Sequence, residues 1–367
     1  MKILQHIWAL ALTVILLHTS LCPASAQTQL TPWRPGVTTE GAVYFLPKTL
    51  LRVSVLVEKT TYEPGDFSVF AQRYLRMPDV SQEPSVAYRV VDVMQTALPV
   101  ADTAKAYSVR FDARTMAARV SLSDDGRLLG LNIDDAADVD EPEAFVPAER
   151  QRQVNPRQFL TEEILSCGST AKMAELTARE IYDLRENRKL LIKGQADFMP
   201  QDGRQMQIML DELDRQDQAL SSLFVGTTVR DTTEHILWVD PQALVASGQR
   251  QVLFRLSQIH GLVEADDLSG APYYITVEDI SQLPEPEPVE KKKGQKVVQG
   301  IYVNVPGRMR STIYEGISTV VSDELAAPQF GQTMLLSASL FNKRYTTRLW
   351  LDALTGAVQR LDAEQPK

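Results

Sequence analysis

Apolar residues alternate with polar ones through much of this chain, and only one region shows the three-to-four spacing of a helix. From residue 41 to 60 the chain reads as extended. Leu51, Val53, Val55 and Val57 fall on one face, the period of two that a half-buried strand requires. Tyr62-Glu63-Pro64-Gly65-Asp66 ends this stretch; Pro-Gly turns the backbone, and Asp66 or Ser68 is placed to cap a short helix running to about Leu75. Strand patterns return at 87–94, 106–111, 118–122 and 127–131. Ser123-Asp124-Asp125-Gly126 reads as the hairpin turn between the last two.

The period changes near residue 158. Thr161-Glu162-Glu163 opens a helical region, and a long helix starts at Ser169 or Thr170 and runs to about Leu191, with Ala174, Ala178, Ile181, Leu184 and Leu191 on one side. Gly194 stops it, and Pro200-Gln201-Asp202-Gly203 leads into a second helix over 204–223. Met206, Leu210, Leu213 and Leu220 form its stripe, with Phe224 just past its end. Two helices joined by roughly ten residues predict an antiparallel hairpin. Two helices alone bury limited surface, so the hairpin is expected to pack on the flanking β regions as an integral part of the core. Strand signals then resume at 235–239, 251–256, 273–277, 300–305, 312–321, 332–341, 346–351 and 357–361, and Leu354-Thr355-Gly356 reads as the last turn. The Pro-, Glu- and Lys-rich run 284–296 offers no apolar group to bury and reads as a mobile surface loop.

These elements predict an α+β fold: two mostly antiparallel β-rich units flanking a central antiparallel helical hairpin. The implied boundaries are a signal peptide over 1–26, an N-terminal β-rich unit over 27–157, the hairpin over 158–225, and a C-terminal β-rich unit over 226–367. A weak internal likeness links the two β regions. Gly41, Tyr44, Leu46 and Pro47 resemble Gly300, Tyr302, Val305 and Pro306 with one residue of slip, and 111–115 resembles 351–355. Duplication of a β unit and chance recurrence of common turn residues both fit this likeness.

The first 26 residues set the destination. Lys2 precedes an almost wholly apolar run from Ile7 to Leu17, and Ala24-Ser25-Ala26 is a small-x-small cleavage site. That is the plan of a secretory signal peptide, with an apolar run too short to span a bilayer. Cys22 invites a lipid-anchor reading, but Leu21 stands where lipid processing requires a small residue. Cleavage between Ala26 and Gln27 is therefore expected. The expected destination is the periplasm or the cell surface. The removed stretch holds one Lys, no Arg and no acidic residue, so the net charge moves from −9 to −10. An acidic chain without a basic cluster excludes nucleic acid as the natural partner, because phosphate neutralisation supplies most of that affinity. Charged residues at 23% are ordinary for globular proteins, and the length suits about two or three domains.

Cleavage leaves Cys167 as the one cysteine and His235 and His260 as the two histidines. No intramolecular disulfide is then available, and these three residues lack metal-ligand spacing. A thiol before a helix is a candidate nucleophile, but it needs a base that the sequence does not place beside it, and a small buried side chain is its commoner role. No Gly-x-Ser-x-Gly elbow or Gly-rich phosphate loop occurs. Asp134, Asp135, Asp138, Asp140 and Glu141 are the densest acidic group; without the glycine-turn spacing of a calcium loop they read as a solvated segment. No catalytic residue, metal site or cofactor is assigned. Tyr62, Asp66, Phe67 and Tyr74, clustered with Phe70 across the Pro-Gly turn, are the candidate ligand-binding residues. Such rings stack on sugars or peptides, and more commonly pack in a core.

The Tyr62-x-Pro64-Gly65-Asp66-Phe67 motif, Ile181-Tyr182-Asp183-Leu184-Arg185, Met199-Pro200-x-Asp202-Gly203 and Leu220–Phe224 with Val225-Gly226-Thr227-Thr228 resemble one family. So do Phe254-Arg255-x-Ser257 and the run from Gly261 to Gly270. It is an uncharacterised exported-protein family of Bacteroidota, a domain of unknown function, and the likeness spans roughly residues 37–361. The resemblance implies a cell-envelope setting and brings no activity, substrate or catalytic residue with it. The expected function is a non-catalytic binding or assembly module with a protein or glycan partner. The alternative is a carboxylate-dependent hydrolase of envelope or dietary glycans, since any two suitably spaced carboxylates would serve. Intact-mass measurement of the exported form is expected to show a chain beginning at Gln27 without lipid; a diacylated Cys22 terminus would contradict that.

Overall fold

The alternation at Leu51, Val53, Val55 and Val57 belongs to one strand, β2 (Ala42–Glu63), of 22 residues. At about 3.3 Å per residue it spans roughly 70 Å. The computed structural model describes residues 29–32, 42–110, 119–147, 154–283, 300–341 and 346–364. The signal peptide with its Ala26–Gln27 junction, the 111–115 half of the internal likeness and the 284–296 loop lie outside the described residues.

β2 pairs along one edge with β3 (Ser85–Arg110), from Ala42 opposite Val109 to Tyr62 opposite Ser85. Its other edge pairs with β6 (Thr227–Val239), from Leu51 opposite Val239 to Glu63 opposite Thr227. β1 (Gln29–Pro32) adds to β3, giving an antiparallel sheet of order β1-β3-β2-β6. Two short strands follow β3, namely β4 (Val120–Leu122) and β5 (Leu128–Leu131). The chain after β6 supplies β7 (Gln251–Ser257), β8 (Gly261–Val263), β9 (Ala271–Asp279), β10 (Gly300–Glu315) and β11 (Ser318–Ser337). These form a second sheet of order β11-β10-β9-β7-β8. Finally β12 (Thr346–Leu351) and β13 (Val358–Glu364) join β5 and β4 in a third sheet of order β13-β12-β5-β4.

The first two sheets bury one core between them, where Leu51, Val53, Val55 and Val57 meet Phe254, Tyr273, Ile275, Met309 and Ile313. A second core joins the start of β2 to the third sheet and to the start of β10, through Tyr44 and Leu46 against Leu128, Leu131, Leu349 and Leu351 and against Ile301 and Val303. The even-numbered face of β2 serves the second core near its start, and the odd-numbered face serves the first further along. Both long hairpins lose register beside the Pro residues of the internal likeness, between Phe45 and Leu46 and between Val305 and Gly307. Tyr44 and Tyr302 touch each other: the Tyr302 N–H donates to the Tyr44 hydroxyl oxygen at 3.0 Å.

The helices stand apart. After β2 comes a 3-10 turn, Ser68–Phe70, running into α1 (Ala71–Leu75). A second 3-10 turn, Pro156–Phe159, precedes α2 (Glu162–Leu165), the long α3 (Thr170–Lys193) and α4 (Gly203–Val225); α5 (Pro241–Ser247) follows β6. The Ser169 hydroxyl accepts from Lys172 N and caps α3, Asp202 does the same for Gln205 N in α4, and Gly194 closes α3 in the left-handed region at φ 68°. The expected Asp66 or Ser68 cap is not made: Phe67 holds the position without a side-chain bond, and Asp66 faces Arg157 instead.

The sequence-level architecture therefore needs correction. The fold is mostly β, with strands holding 48% and helices 25% of the described residues, and it is not centred on a helical hairpin flanked by two β units. Strands from either side of the hairpin in sequence share sheets: β6 lies on β2, and β12 lies on β5. Alternation reveals which face a strand buries but not which strand lies beside it. Nor does the hairpin pack on the sheets as expected. Ala174, Ala178, Ile181, Leu184, Leu220, Leu223 and Phe224 bury against Phe67, Ala71 and Leu75 in a third core that contains no strand residue among those described. The helix after the Pro-Gly turn supplies the third surface, and the hairpin projects as an arm.

The arm is seated at Gly65. A Cβ there would lie 2.3 Å from the Leu223 carbonyl oxygen, which also accepts from Phe67 N at 2.7 Å. Because the neighbour is backbone, it has no rotamer with which to give way. Gly65→Ala is expected to cost about 1–3 kcal/mol by overpacking. Hydrogen exchange should rise across α3 and α4 while β2 stays protected; uniform loss across β2 and the arm together would show one cooperative unit.

Candidate functional site

Three surfaces combine shape with chemistry, and the candidate ligand-binding residues Tyr62, Asp66, Phe67 and Tyr74 belong to the first. Phe67 is buried in the third core with its ring centroid 5.4 Å from that of Phe224. The Tyr74 hydroxyl donates to the Ala171 carbonyl at 3.4 Å, and the Tyr74 ring lies 6.1 Å from Phe70. The Tyr62 hydroxyl sits between the carbonyls of Ser81, at 2.8 Å, and Val225, at 3.1 Å, tying the end of β2 to the end of α4. Asp66 pairs with Arg157 at 3.4 Å, both exposed. Of the four, Asp66 lines a cavity of about 400 Å³, shared with Glu63, Asn155, Arg157, Ser222 and Thr227. The structure thus gathers the four at the base of the arm, with Tyr62, Phe67 and Tyr74 engaged in holding it.

The second surface is a cleft of about 510 Å³ beside the β4–β5 turn. Leu50, Leu98, Pro99 and Val100 give it an apolar wall, and Asp124, Asp125, Arg127, Asp138, Glu141 and Trp238 line the rest. Arg127 organises it. Its buried guanidinium donates through Nε to Asp125 at 2.7 and 2.9 Å, through one terminal nitrogen to Asp138 at 2.9 and 3.1 Å, and through the other to the Ala353 carbonyl at 3.0 Å. Partial burial pushes the Asp125 carboxyl up, but the Ser123 hydroxyl and Arg127 together outweigh it and hold Asp125 below the usual carboxylate range. A glycosidase acid needs the opposite, a carboxyl kept protonated near neutrality. Asp125 instead serves as an ionised acceptor. Asp124 and Glu141 have no bonded partner among the described residues, and Trp238 is 56% exposed at the rim.

The acidic segment over 134–147 is held by separate contacts, beside the third sheet at its start and over the outer face of the first sheet further along. Asp134 pairs with Arg119, Asp135 accepts from the Trp350 indole at 3.0 Å, and Asp138 is held by Arg127. Phe145 N donates to Glu234 at 3.3 Å. Glu234 also accepts from Ser54 at 2.5 Å and pairs with the buried Arg52 at 3.0 Å, and the Ser54 hydroxyl leads in holding its carboxyl low. Among the described residues no group of three or more His, Cys, Asp or Glu is placed to hold a metal ion. Cys167 follows α2, its thiol donating to the Glu163 carbonyl at 3.2 Å, while His235 lies on β6 and His260 in the β7–β8 turn.

The third surface is the distal half of the arm. Interhelical ion pairs Arg185–Asp217 and Arg188–Asp214 clamp α3 to α4. Beyond them a cavity of about 570 Å³ opens between the helix ends, lined by Leu190, Leu191, Phe198, Ile208, Met209 and Leu213, with Asp197 and Glu212 also on its wall. Phe198 is 68% exposed, Ile208 59% and Ile192 56%. The sequence reading passed over these because they lie off the buried stripe. Their signal is the presence of large apolar residues on a helix face and loop otherwise charged. Arg127 was passed over as well, and a single arginine at a turn announces no ion pair with Asp138.

Fold and surfaces together define a mostly β protein of three antiparallel sheets carrying a helical arm, with no helix among the described residues long and apolar enough to cross a membrane. The chain belongs to DUF4831, a domain of unknown function, whose family model matches residues 40–359. Comparison with curated proteins and with solved structures finds no match.

Replacing Arg127 with Met is expected to destabilise the protein by about 1–3 kcal/mol. This falls short of the cost of breaking a fully buried pair because Asp125 and Asp138 remain more than a third open to water. A depressed carboxyl contributes its stability above the unfolded pKa near ~4 and loses it as pH falls through the folded value. Thermal melts below about pH 4 should therefore fall less steeply in Arg127→Met than in the parent; identical slopes would show that Arg127 does not set the Asp125 pKa.

Proposed function

We propose that this protein is an exported, non-catalytic binding or assembly module of the cell envelope, and that the helical arm makes the contact. The carrying observation is the uncovered apolar end of the arm, with Ile192, Phe198 and Ile208 each more than half exposed. Clusters of large apolar residues on a projecting element mark interaction surfaces, since water contact leaves their burial energy unused. Export rests on the charged, apolar and small-residue regions of the first 26 residues, and the envelope setting on the resemblance to exported proteins.

A glycan hydrolase is the second reading, and it rests on Asp124 and Glu141, without a bonded partner among the described residues, beside Trp238. Release of reducing ends by the purified chain, abolished in Asp124→Asn, would establish it.

The arm reading is tested with a photo-crosslinking residue placed at position 198 or 208, and at Ile317 in the β10–β11 turn, which is more exposed than either, as reference. Irradiation of intact cells should give discrete adducts from 198 and 208 and none from 317. Equal adducts from all three positions, or none from the arm, would reject the arm as the contact.

A further inference from the structure

An open sheet edge offers unpaired N–H and C=O groups to any strand that reaches it, and proteins blunt such edges unless they use them. Most edges here are blunted. Strands β1, β4 and β8 are only three or four residues long, and β13 carries Arg360, Asp362 and Glu364 along its seven. Strand β11 holds Pro328 and is tied to β2 by Thr49, whose N–H and carbonyl bond the Gln329 side-chain amide at 2.9 and 3.0 Å. On β3, Asp92 takes Val93 N at 2.9 Å, Asp125 takes Ala101 N at 2.9 Å and Asp102 takes Ala104 N at 3.0 Å. The Gln258 carbonyl takes Tyr88 N at 3.0 Å, and Pro99 has no N–H to offer.

Strand β6 is the exception. It closes the first sheet, bonded to β2 on one side and to no strand on the other. It runs 13 residues without Pro, Gly or Lys, and its Thr, Val, Ile, Leu and Trp content suits a pleated ladder. Asp231 has a partner of its own; for the rest of β6, no bond among the described residues caps a backbone N–H on the open side. Phe145 N reaches the Glu234 side chain and not the strand's backbone. We infer that this edge receives a second copy of the chain, β6 against β6, antiparallel about a two-fold axis at Thr233. The two four-stranded sheets would then be continuous. The pairing is independent of what the arm touches.

The register singles out a second copy. Open-edge amides alternate along a strand, so a two-fold pairing sets residues of equal parity opposite each other and its axis falls on a residue. An axis on Thr233 engages all 13 residues and opposes no two like charges: Arg230 meets Ile236, Asp231 meets His235 and Glu234 meets Thr232. An axis on Asp231 or Glu234 would set a carboxylate against its own copy, and one on Arg230 would do the same with guanidinium groups. An axis on Thr232 leaves Trp238 and Val239 beyond the end of the opposing strand. The Thr233 register also brings Val229 against Leu237 twice. It sets Trp238, 56% exposed in the single chain, opposite Thr228 with Arg230 on the diagonal, the cross-strand contacts from which sheets draw stability. Because α4 ends where β6 begins, the two arms leave opposite ends of the joined strands, roughly 40 Å apart at the strand rise per residue. Two arms on one particle bind a multivalent surface with avidity.

Sedimentation velocity of the mature chain across a concentration series should show a reversible monomer–dimer equilibrium. Thr233 is exposed in the single chain, so Thr233→Lys and Thr233→Asp should leave the circular dichroism unchanged. Each sets like charges face to face at the axis and should raise the dimer dissociation constant about tenfold or more. An equal mixture of the two variants sets Lys against Asp and should restore association, which a substitution acting through the fold or another surface would not do.

A chain that stays monomeric, a dimer indifferent to both Thr233 substitutions, or a mixture no stronger than either variant alone would overturn the inference. So would a dimer abolished by Ile208→Glu and untouched at Thr233, which would assign association to the arm. A monomer that still binds a fluorescein-labelled peptide copying residues 227–239 would reject the second copy and assign the edge to another protein's strand.

Discussion

Strand β2 is hydrogen-bonded along both edges and buried on both faces, and the rest of the structure is arranged around that constraint. Its backbone groups are satisfied by β3 on one side and, from Leu51 onward, by β6 on the other. Nearer its start, Phe45 N donates to the Gly126 carbonyl and Thr49 N to the Gln329 side chain, which limits the cost of unpaired amides in the interior. With the edges occupied, its side chains alone decide what it touches. Tyr44 and Leu46 commit the start of the strand to the third sheet, and Leu51 through Val57 commit the middle to the second. Displacing β2 would open two cores together, so the three sheets are coupled through one strand.

The arm is attached on different terms. Its own core holds side chains from α1, α3 and α4 and, among the described residues, none from the sheets. What joins it to the β body is a backbone approach at Gly65 and the hydroxyl of Tyr62, aimed at the carbonyls of Ser81 and Val225. A close contact of this kind fixes where the arm emerges without burying much apolar surface. Among the described residues, the distal half is held by its own two helices and the Arg185–Asp217 and Arg188–Asp214 pairs. Exposed interhelical pairs contribute little stability each. Low local stability is common in elements that adapt to a partner.

Charge in this molecule is spent on position. Arg127 gathers Asp125, Asp138 and the Ala353 carbonyl, and Arg52 and Ser54 hold Glu234, which in turn fixes Phe145. These contacts lay the later part of the acidic 134–147 segment across the first sheet. They also keep Asp125 and Glu234 ionised, so both accept hydrogen bonds rather than deliver protons. Asp124 and Glu141 remain available to solvent in the same cleft.

The element-level reading of the sequence was close where the signal is local. The 3.6-residue stripe through Ala174, Ile181 and Leu191 places α3 within two residues of its observed ends, and Ser169, Asp202 and Gly194 act as caps where side-chain chemistry and backbone freedom call for them. The alternation at Leu51–Val57 marked a buried strand face. The resemblance to a domain of unknown function, read from short motifs, agrees with the family match over 40–359. Partnership was not legible. Nothing in Thr227–Val239 names β2 as its neighbour, and nothing in Leu128–Leu131 names β12, because backbone hydrogen bonds are the same for every sequence and pairing is decided by the whole set of faces that must be buried at once. The arm was misplaced for the same reason: its stripe demanded a third surface, and only the tertiary structure decided that α1 supplies it. The candidate ligand residues Tyr62, Phe67 and Tyr74 were visible as a cluster, but Val225, Phe224 and Ala171, which they meet in turn, lie about one hundred to one hundred and sixty positions further along the chain. Local spacing determined the two long helices and the buried face of β2. It did not determine that 312–321 holds the Gly316-Ile317 turn between β10 and β11, or that 87–94 and 106–110 lie on one strand. Which faces meet, and which apolar residues stay uncovered at the end of the arm, depended on the packing of the whole chain.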